Sequence, residues 1–237
     1  MSDSTLLKST EIPAPKRSWI WFALTSGLVL IFLVSLFLGR YPQAGLVRLE
    51  QLQVNELARL LVFNVRLPRL LTALLLGMVM ASAGTVFQMI FANPLVEPGF
   101  LGVSQGAAFG AALGIVFLGA TSMAVQGLAI IFAFIGLGFS YLLARRMHIG
   151  DWLLRLVLAG IAVSALFSAG VGIIKFMADP MRQLPEITFW MLGGLASITW
   201  AKFLSILPAC LVGLVIMFVF RWRLNLLALE ETTAFSL

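Results

Sequence analysis

The sequence predicts an all-α fold, a polytopic bundle of transmembrane helices, and three observations carry that prediction. Of 237 residues, 61% are hydrophobic and 11% charged, whereas soluble domains average roughly 45–50% apolar and about 25% charged. The mean hydropathy is +1.04. The apolar residues also gather into charge-free runs of about 20, the length that crosses the ~30 Å hydrocarbon layer. Lipid offers no partner to an unpaired backbone N–H or C=O, so each run must close its own hydrogen bonds as a helix.

Charged residues mark the boundaries. Residues 1–17 are polar, carry Pro13 and Pro15, and form a short lead; residues 18–237 form the membrane domain. The first span is 19–38, entered through Lys16 and Arg17 and too long for the apolar core of a cleaved signal. A polar connection, 39–69, holds Arg40, Arg48, Glu50, Glu56, Arg59, Arg66 and Arg69. Its middle, 49–63, spaces apolar residues as a short surface helix does. The second span is 70–92. Residues 98–144 contain no charge, and Gly119-Ala120-Thr121-Ser122 divides them into spans at 101–118 and 123–144. After a charged turn, 145–151, comes a fifth span at 153–174. A loop at 179–185, a short amphipathic stretch at 189–198 and a sixth span at 203–220 complete the pattern, and a polar tail occupies 221–237.

The net charge is +6, but its sixteen cations flank apolar runs and form no basic stripe, which excludes a nucleic-acid partner. With both ends cytoplasmic, eight cations fall inside and eight outside, so charge asymmetry does not set the orientation. Cys210 is the single cysteine and His148 the single histidine. They give no metal-ligand spacing and no nucleophile–base pairing, and no phosphate-binding Gly-Lys-Ser/Thr loop is present. No carboxylate is predicted in mid-span to relay protons. The sequence therefore shows no enzyme, no metal site and no cofactor site, and uphill transport would draw its energy from another subunit.

Small residues recur every fourth position. Gly102, Gly106, Gly110 and Gly114 line one face of the third span, and Ala73, Gly77 and Ala81 one face of the second. Such faces let helices approach closely, and packing is the favoured reading for the third span over a ligand path. In the fifth span Gly160, Ser164, Ser168 and Gly172 share a register. There the hydroxyls leave two readings open, helix packing or a water-facing pathway.

Three polar segments stand out. Arg66-Leu67-Pro68-Arg69 sets two cations around a proline where a helix is expected to begin. Asn93-Pro94-Leu95-Val96-Glu97-Pro98-Gly99 is a stiff connection, with Glu97 placed to bond freed amides at the next helix start. The run from Arg221 to Glu231 is amphipathic and suits a membrane surface or a partner's groove.

Together with Gly84–Gln88, Leu158-Ala-Gly-Ile-Ala162, Phe189-Trp-Met-Leu-Gly-Gly194 and Leu224-Asn-Leu-Leu-Ala-Leu229, these segments resemble the permeases of type II ABC importers for ferric siderophores, haem and cobalamin, the FecCD-like permeases. The resemblance runs in order from about Trp19 to the end. It implies an inner-membrane, multi-pass importer permease with a cytoplasmic N-terminus, and a ferric siderophore is the favoured cargo over haem or cobalamin. Its partners would be a second permease subunit, cytoplasmic ABC ATPases that use the ATP, and an extracytoplasmic solute-binding protein. It assigns Arg66 and Arg69 to binding-protein docking and Asn93, Pro94, Leu95 and Glu97 to a cytoplasmic gate loop. Gly160, Ser164, Ser168 and Gly172 would line the pathway. Residues 221–237 would form the ATPase coupling segment through Asn225, Ala228, Leu229, Glu230 and Glu231. Glu230 stands where the family usually has glycine. The family has about ten spans and six are expected here, so 237 residues alone would not transport; a non-transporting scaffold is the alternative.

Overall fold

The computed structural model describes residues 18–41 and 44–227, with the side chains of 18, 49 and 225–227 left out. Two compact units divide the chain, Met1–Leu70 and Leu71–Leu237. The described part of the first unit begins with α1, Ser18–Phe37. A two-residue antiparallel pair follows, β1 at Leu38–Gly39 and β2 at Gly45–Leu46, with Leu38 opposite Leu46. Val47 N–H donates to the Phe37 carbonyl (2.9 Å) and closes this hairpin on the end of α1. Then come α2, Leu49–Val54, and α3, Glu56–Leu60, capped by Asn55, whose Oδ1 accepts from Ala58 N–H at 3.1 Å.

Here the structure departs from the sequence expectation. No surface helix ends at Phe63. Instead α3 passes into a π-helical segment, Leu61–Arg66, and on into α4, Leu67–Ile90. The apolar helix is therefore Glu56–Ile90, 35 residues, rather than a span beginning at Leu70. Pro68 explains both the misreading and the π geometry. It has no N–H to give, and its ring clashes with the carbonyl four residues back. Widening the preceding turn relieves that clash: Leu67 N–H reaches back five residues to the Val62 carbonyl. A proline that ordinarily marks a helix start is thereby carried inside one.

In the second unit a 3₁₀ turn, Pro98–Leu101, leads into α5, Val103–Phe117. It is followed by α6 (Ser122–Arg146), α7 (Trp152–Met177), α8 (Gln183–Leu192) and α9 (Trp200–Leu227). Thr121 and Asp151 cap α6 and α7 through their side-chain oxygens, which is why the chain restarts as helix at those points. The α8 helix begins at Gln183, earlier than the amphipathic stretch expected at 189–198. Pro185 sits in its first turn, where a missing N–H costs nothing, and Asp179 Oδ1 shapes the preceding turn by accepting from Met181 and Arg182. Gly193 and Gly194, both at positive φ, end it.

Five described helices are long and apolar enough to cross a membrane, and α5 is a shorter apolar helix of 15 residues. About six spans are expected from the sequence; among the described residues five helices have that length, and the expected third span is the shorter α5. That short helix is the most enclosed: Ala111, Ala112 and Ile115 are almost fully buried, packed with Val125, Ala129, Ile174 and Ile187. A Cβ on Gly106 or Gly110 would overlap the carbonyl oxygen of Phe132 or Leu128, and one on Gly114 would press against Val125 Cα at 3.0 Å. The glycine face of α5 is the seat of α6, as the packing reading required. Phe109, Phe132 and Phe167 join α5, α6 and α7, with ring centroids 5.2, 5.5 and 6.3 Å apart. By contrast Gly77, on the small-residue ridge of α4, has nothing near its missing Cβ.

Gly110→Val should lower stability by about 1–3 kcal/mol or more, since the added atoms meet backbone. Gly127→Val, where nothing approaches within 4 Å, should stay within about 0.5 kcal/mol. Thermal unfolding of the two variants in detergent checks the contrast.

Candidate functional site

The connection after α4 is built from backbone outward. Ala92 takes a positive φ of 45°, a conformation that costs a residue with a Cβ about 1–2 kcal/mol, and turns the chain out of the helix. Asn93 N–H still reaches the Gln88 carbonyl at 3.2 Å. Asn93 Oδ1 accepts from Leu95 N–H at 2.9 Å, and Gln88 Nε2 donates to the Pro94 carbonyl at 3.0 Å. These bonds leave Asn93, Pro94 and Glu97 exposed and the Leu95 side chain 84% exposed, while Val96 is buried. Glu97 precedes the 3₁₀ turn, but its carboxylate caps nothing there; its backbone carbonyl accepts from Phe100 N–H at 3.3 Å. The expected carboxylate cap is displaced because the turn intervenes and Gly102, at φ 77°, opens α5 in its place.

The far end of this connection is clamped by α6 and α7. Ser140, fully buried, donates its hydroxyl to the Leu101 carbonyl at 2.8 Å. A Cβ added to Gly136 would overlap the Gly102 carbonyl oxygen, and one added to Gly160 that of Phe100. Gly160 therefore serves packing. The stripe it begins turns outward along α7: Ser164 is half-buried, and Ser168 and Gly172 are exposed. Four-residue steps over-rotate a 3.6-residue helix by about 40° each, so one end of the stripe is packed and the other open. Sequence spacing alone missed Ser140, a lone hydroxyl in an apolar run.

At the other end of α4, Arg66 closes the π segment and Arg69 lies in the first turn of the α-helix, both half-buried. Arg66 Nη1 donates to the Leu36 carbonyl at 3.3 Å. Asn225 lies in the last turn of α9, with its side chain outside the description, and Ala228, Leu229, Glu230 and Glu231 lie outside the described residues, as do residues 1–17. Beyond the expected residues, a polar-rimmed crevice of about 630 Å³ opens among α6, α8 and α9, lined in part by Ser122, Gln126, Glu186, Trp190, Ser197 and Lys202. Ser205 donates to Gln126 Oε1 at 2.9 Å beside it. Among the described residues no group of His, Cys, Asp and Glu could hold a metal ion.

A family model, the FecCD transport family, matches residues 27–237. The chain belongs to the FecCD transport family. It is 38% identical over 225 residues to the molybdate import system permease protein MolB of Haemophilus influenzae, covering 92% of this chain and 66% of that one. It is 37% identical to the hemin transport system permease protein HmuU of Yersinia pestis, covering 88% and 64% of the two chains. With the vitamin B12 import system permease protein BtuC of Klebsiella pneumoniae it shares 34% identity, over 92% and 63%. A solved inward-facing conformation of a metal-chelate type ABC transporter superposes with a TM-score of 0.78 at 37% identity, covering 92% of this chain and 67% of that one. The FecCD relatives are transport permeases, not enzymes, and this chain spans about two thirds or less of their length.

Ser140→Ala should cost about 1–3 kcal/mol by leaving the Leu101 carbonyl buried without its donor. Ala92→Gly should raise stability by about 1 kcal/mol, because glycine takes the positive φ without strain. Denaturation midpoints of both variants in the same detergent check the two signs.

Proposed function

We propose that the chain supplies the membrane pathway of an ABC importer, with a ferric siderophore or related metal chelate as cargo. The observation that carries this is its 0.78 TM-score, at 37% identity, to the metal-chelate type transporter. In this reading the chain sits in the inner membrane with its N-terminus cytoplasmic, and it works with a second permease subunit. Arg66 and Arg69 belong to the outward end, where cations attract acidic residues of a solute-binding protein. Asn93, Pro94, Leu95 and Glu97 form the cytoplasmic gate loop: its polar side chains are exposed and its fold is fixed by its own bonds, as a surface that closes on a partner needs. Ser168 and Gly172, on the open part of α7, face the pathway, with Ser164 at its margin. Residues 221–237 form the coupling segment, in which Asn225, Ala228, Leu229, Glu230 and Glu231 meet the ATPase that consumes the ATP. The chain itself needs no cofactor.

A second cargo, the molybdate oxyanion, is favoured by the 38% identity to MolB over 92% of this chain. Haem and cobalamin are supported by lower identity or coverage.

The test is capture of the neighbouring ATPase and binding protein on the chain in nanodiscs. Arg66→Glu/Arg69→Glu should lose the binding protein alone, by about tenfold or more in affinity. Glu231→Ala should weaken the ATPase alone. Calorimetry of the captured binding protein with a ferric chelate and with molybdate then separates the cargoes. Capture of neither partner by the native chain would sink the proposal.

A further inference from the structure

The crevice among α6, α8 and α9 carries a cation and an anion that do not pair with each other. Lys202 and Glu186 both line it. Lys202 Nζ donates to Ser197 Oγ at 3.4 Å, a long bond that leaves the ammonium's other N–H groups for a further partner. Among the described residues nothing hydrogen-bonds the exposed Glu186 carboxylate. Gln126 is held on the rim, its Nε2 donating to Ser122 Oγ at 3.3 Å and its Oε1 accepting from Ser205 at 2.9 Å. Beneath these polar groups the lining is apolar, with Ile115 and Val125 buried.

Its place in the bundle is that of a membrane–water interface. Ser122 opens α6 and Trp200 opens α9, two helices long and apolar enough to cross a membrane. Trp190 lines the crevice, and tryptophan concentrates at that level. Further along the same two helices a second cavity of about 310 Å³ is lined in part by Ile130 and Phe134 of α6 and by Ala209 and Gly213 of α9. Nothing lies within 4 Å of the missing Cβ of Gly213, so the groove is open there. From Lys202 to Gly213 the helix rises about 16 Å, close to one leaflet, or half of the ~30 Å hydrocarbon layer. A doubly charged mouth and an apolar groove one leaflet deep thus share the same pair of helices.

We propose that this crevice and groove form a binding site for one molecule of phosphatidylethanolamine. Lys202, with Ser197, holds the phosphate; Glu186 accepts from the ammonium; an acyl chain lies in the groove between α6 and α9. The charges select the headgroup. A choline headgroup has no N–H to donate to Glu186, and a glycerol headgroup brings no cation to it. The site depends on neither the cargo nor the orientation of the chain.

Native mass spectrometry of the full chain released from detergent tests this, with the dioleoyl forms of phosphatidylethanolamine, phosphatidylcholine and phosphatidylglycerol offered in equal amounts. The native chain should retain one phosphatidylethanolamine in about tenfold preference over either competitor, the worth of one charge-assisted hydrogen bond. Glu186→Gln should bring phosphatidylethanolamine level with phosphatidylcholine. Lys202→Gln should lower retention of all three by about tenfold, and Lys202→Arg should keep the native preference, which separates loss of charge from damage to the fold. Glycerophosphoethanolamine, the same headgroup without acyl chains, should not displace the lipid at equal concentration. If it does, the crevice takes a soluble zwitterion and the lipid assignment falls. Equal retention of the three lipids by the native chain, or a native preference that persists in both Glu186→Gln and Lys202→Gln, overturns the proposal. The readout needs no ATPase or binding protein, so its failure is distinct from failure of the importer reading.

Discussion

Close approach of backbones, with no Cβ between them, is the constraint on which the second unit depends. In water, burying apolar surface drives helices together; in lipid that drive is absent, because the acyl chains are as apolar as the side chains. What remains is packing and polar contact at short range, and both demand that helices come near. Along α5 the glycines at 106, 110 and 114 let α6 lie against the helix so closely that a methyl group would strike its backbone. The same device operates in reverse at Gly136 and Gly160, where α6 and α7 yield space to the carbonyls of Gly102 and Phe100. Helix α5 is short, but it is gripped on both sides, and its brevity is tolerable because protein rather than lipid surrounds much of it.

Polar atoms in the spans are managed by a second economy of position. Thr25, Ser82 and Thr85 each turn the hydroxyl back to the carbonyl four residues earlier, at 2.7–2.8 Å. That satisfies the hydroxyl without a partner helix. Ser140 does otherwise and spends its hydroxyl on Leu101 across the bundle. The difference separates hydroxyls that merely reside in a span from a hydroxyl that fixes a connection.

Hydropathy and charge made most of the helices legible, because each boundary is a change of solvent that composition records directly. Thr121 and Asp151 even mark their helix starts by residue type. What escaped was geometry set by a neighbour. Pro68 looks like a helix start until a π turn absorbs it, and a π turn has no composition of its own. Gly160 and Gly172 are alike in the sequence; one abuts the Phe100 carbonyl and the other is open, because a four-residue period drifts around the helix. The connection at 93–99 was legible as stiff from its two prolines, yet its stiffness comes equally from Gln88 and Asn93 side chains bonding the backbone.

The strain at Ala92 and the grip on residues 100–102 act on the two ends of one connection. A left-handed alanine holds a conformation that an unconstrained chain would leave, so it persists only where the surroundings determine it. Here they do: Asn93 N–H is tied to Gln88 before the turn, and Leu101 is tied to Ser140 after it. Between these anchors Leu95 projects into the open while Val96 is buried beside it. A loop fixed at both ends, with one apolar side chain held outward against its own hydrophobicity, is shaped to meet something. On the proposed reading that is the closing gate. Because its second anchor lies on α6 and its neighbouring backbone seats on α7, a shift of those helices would carry the exposed leucine with it.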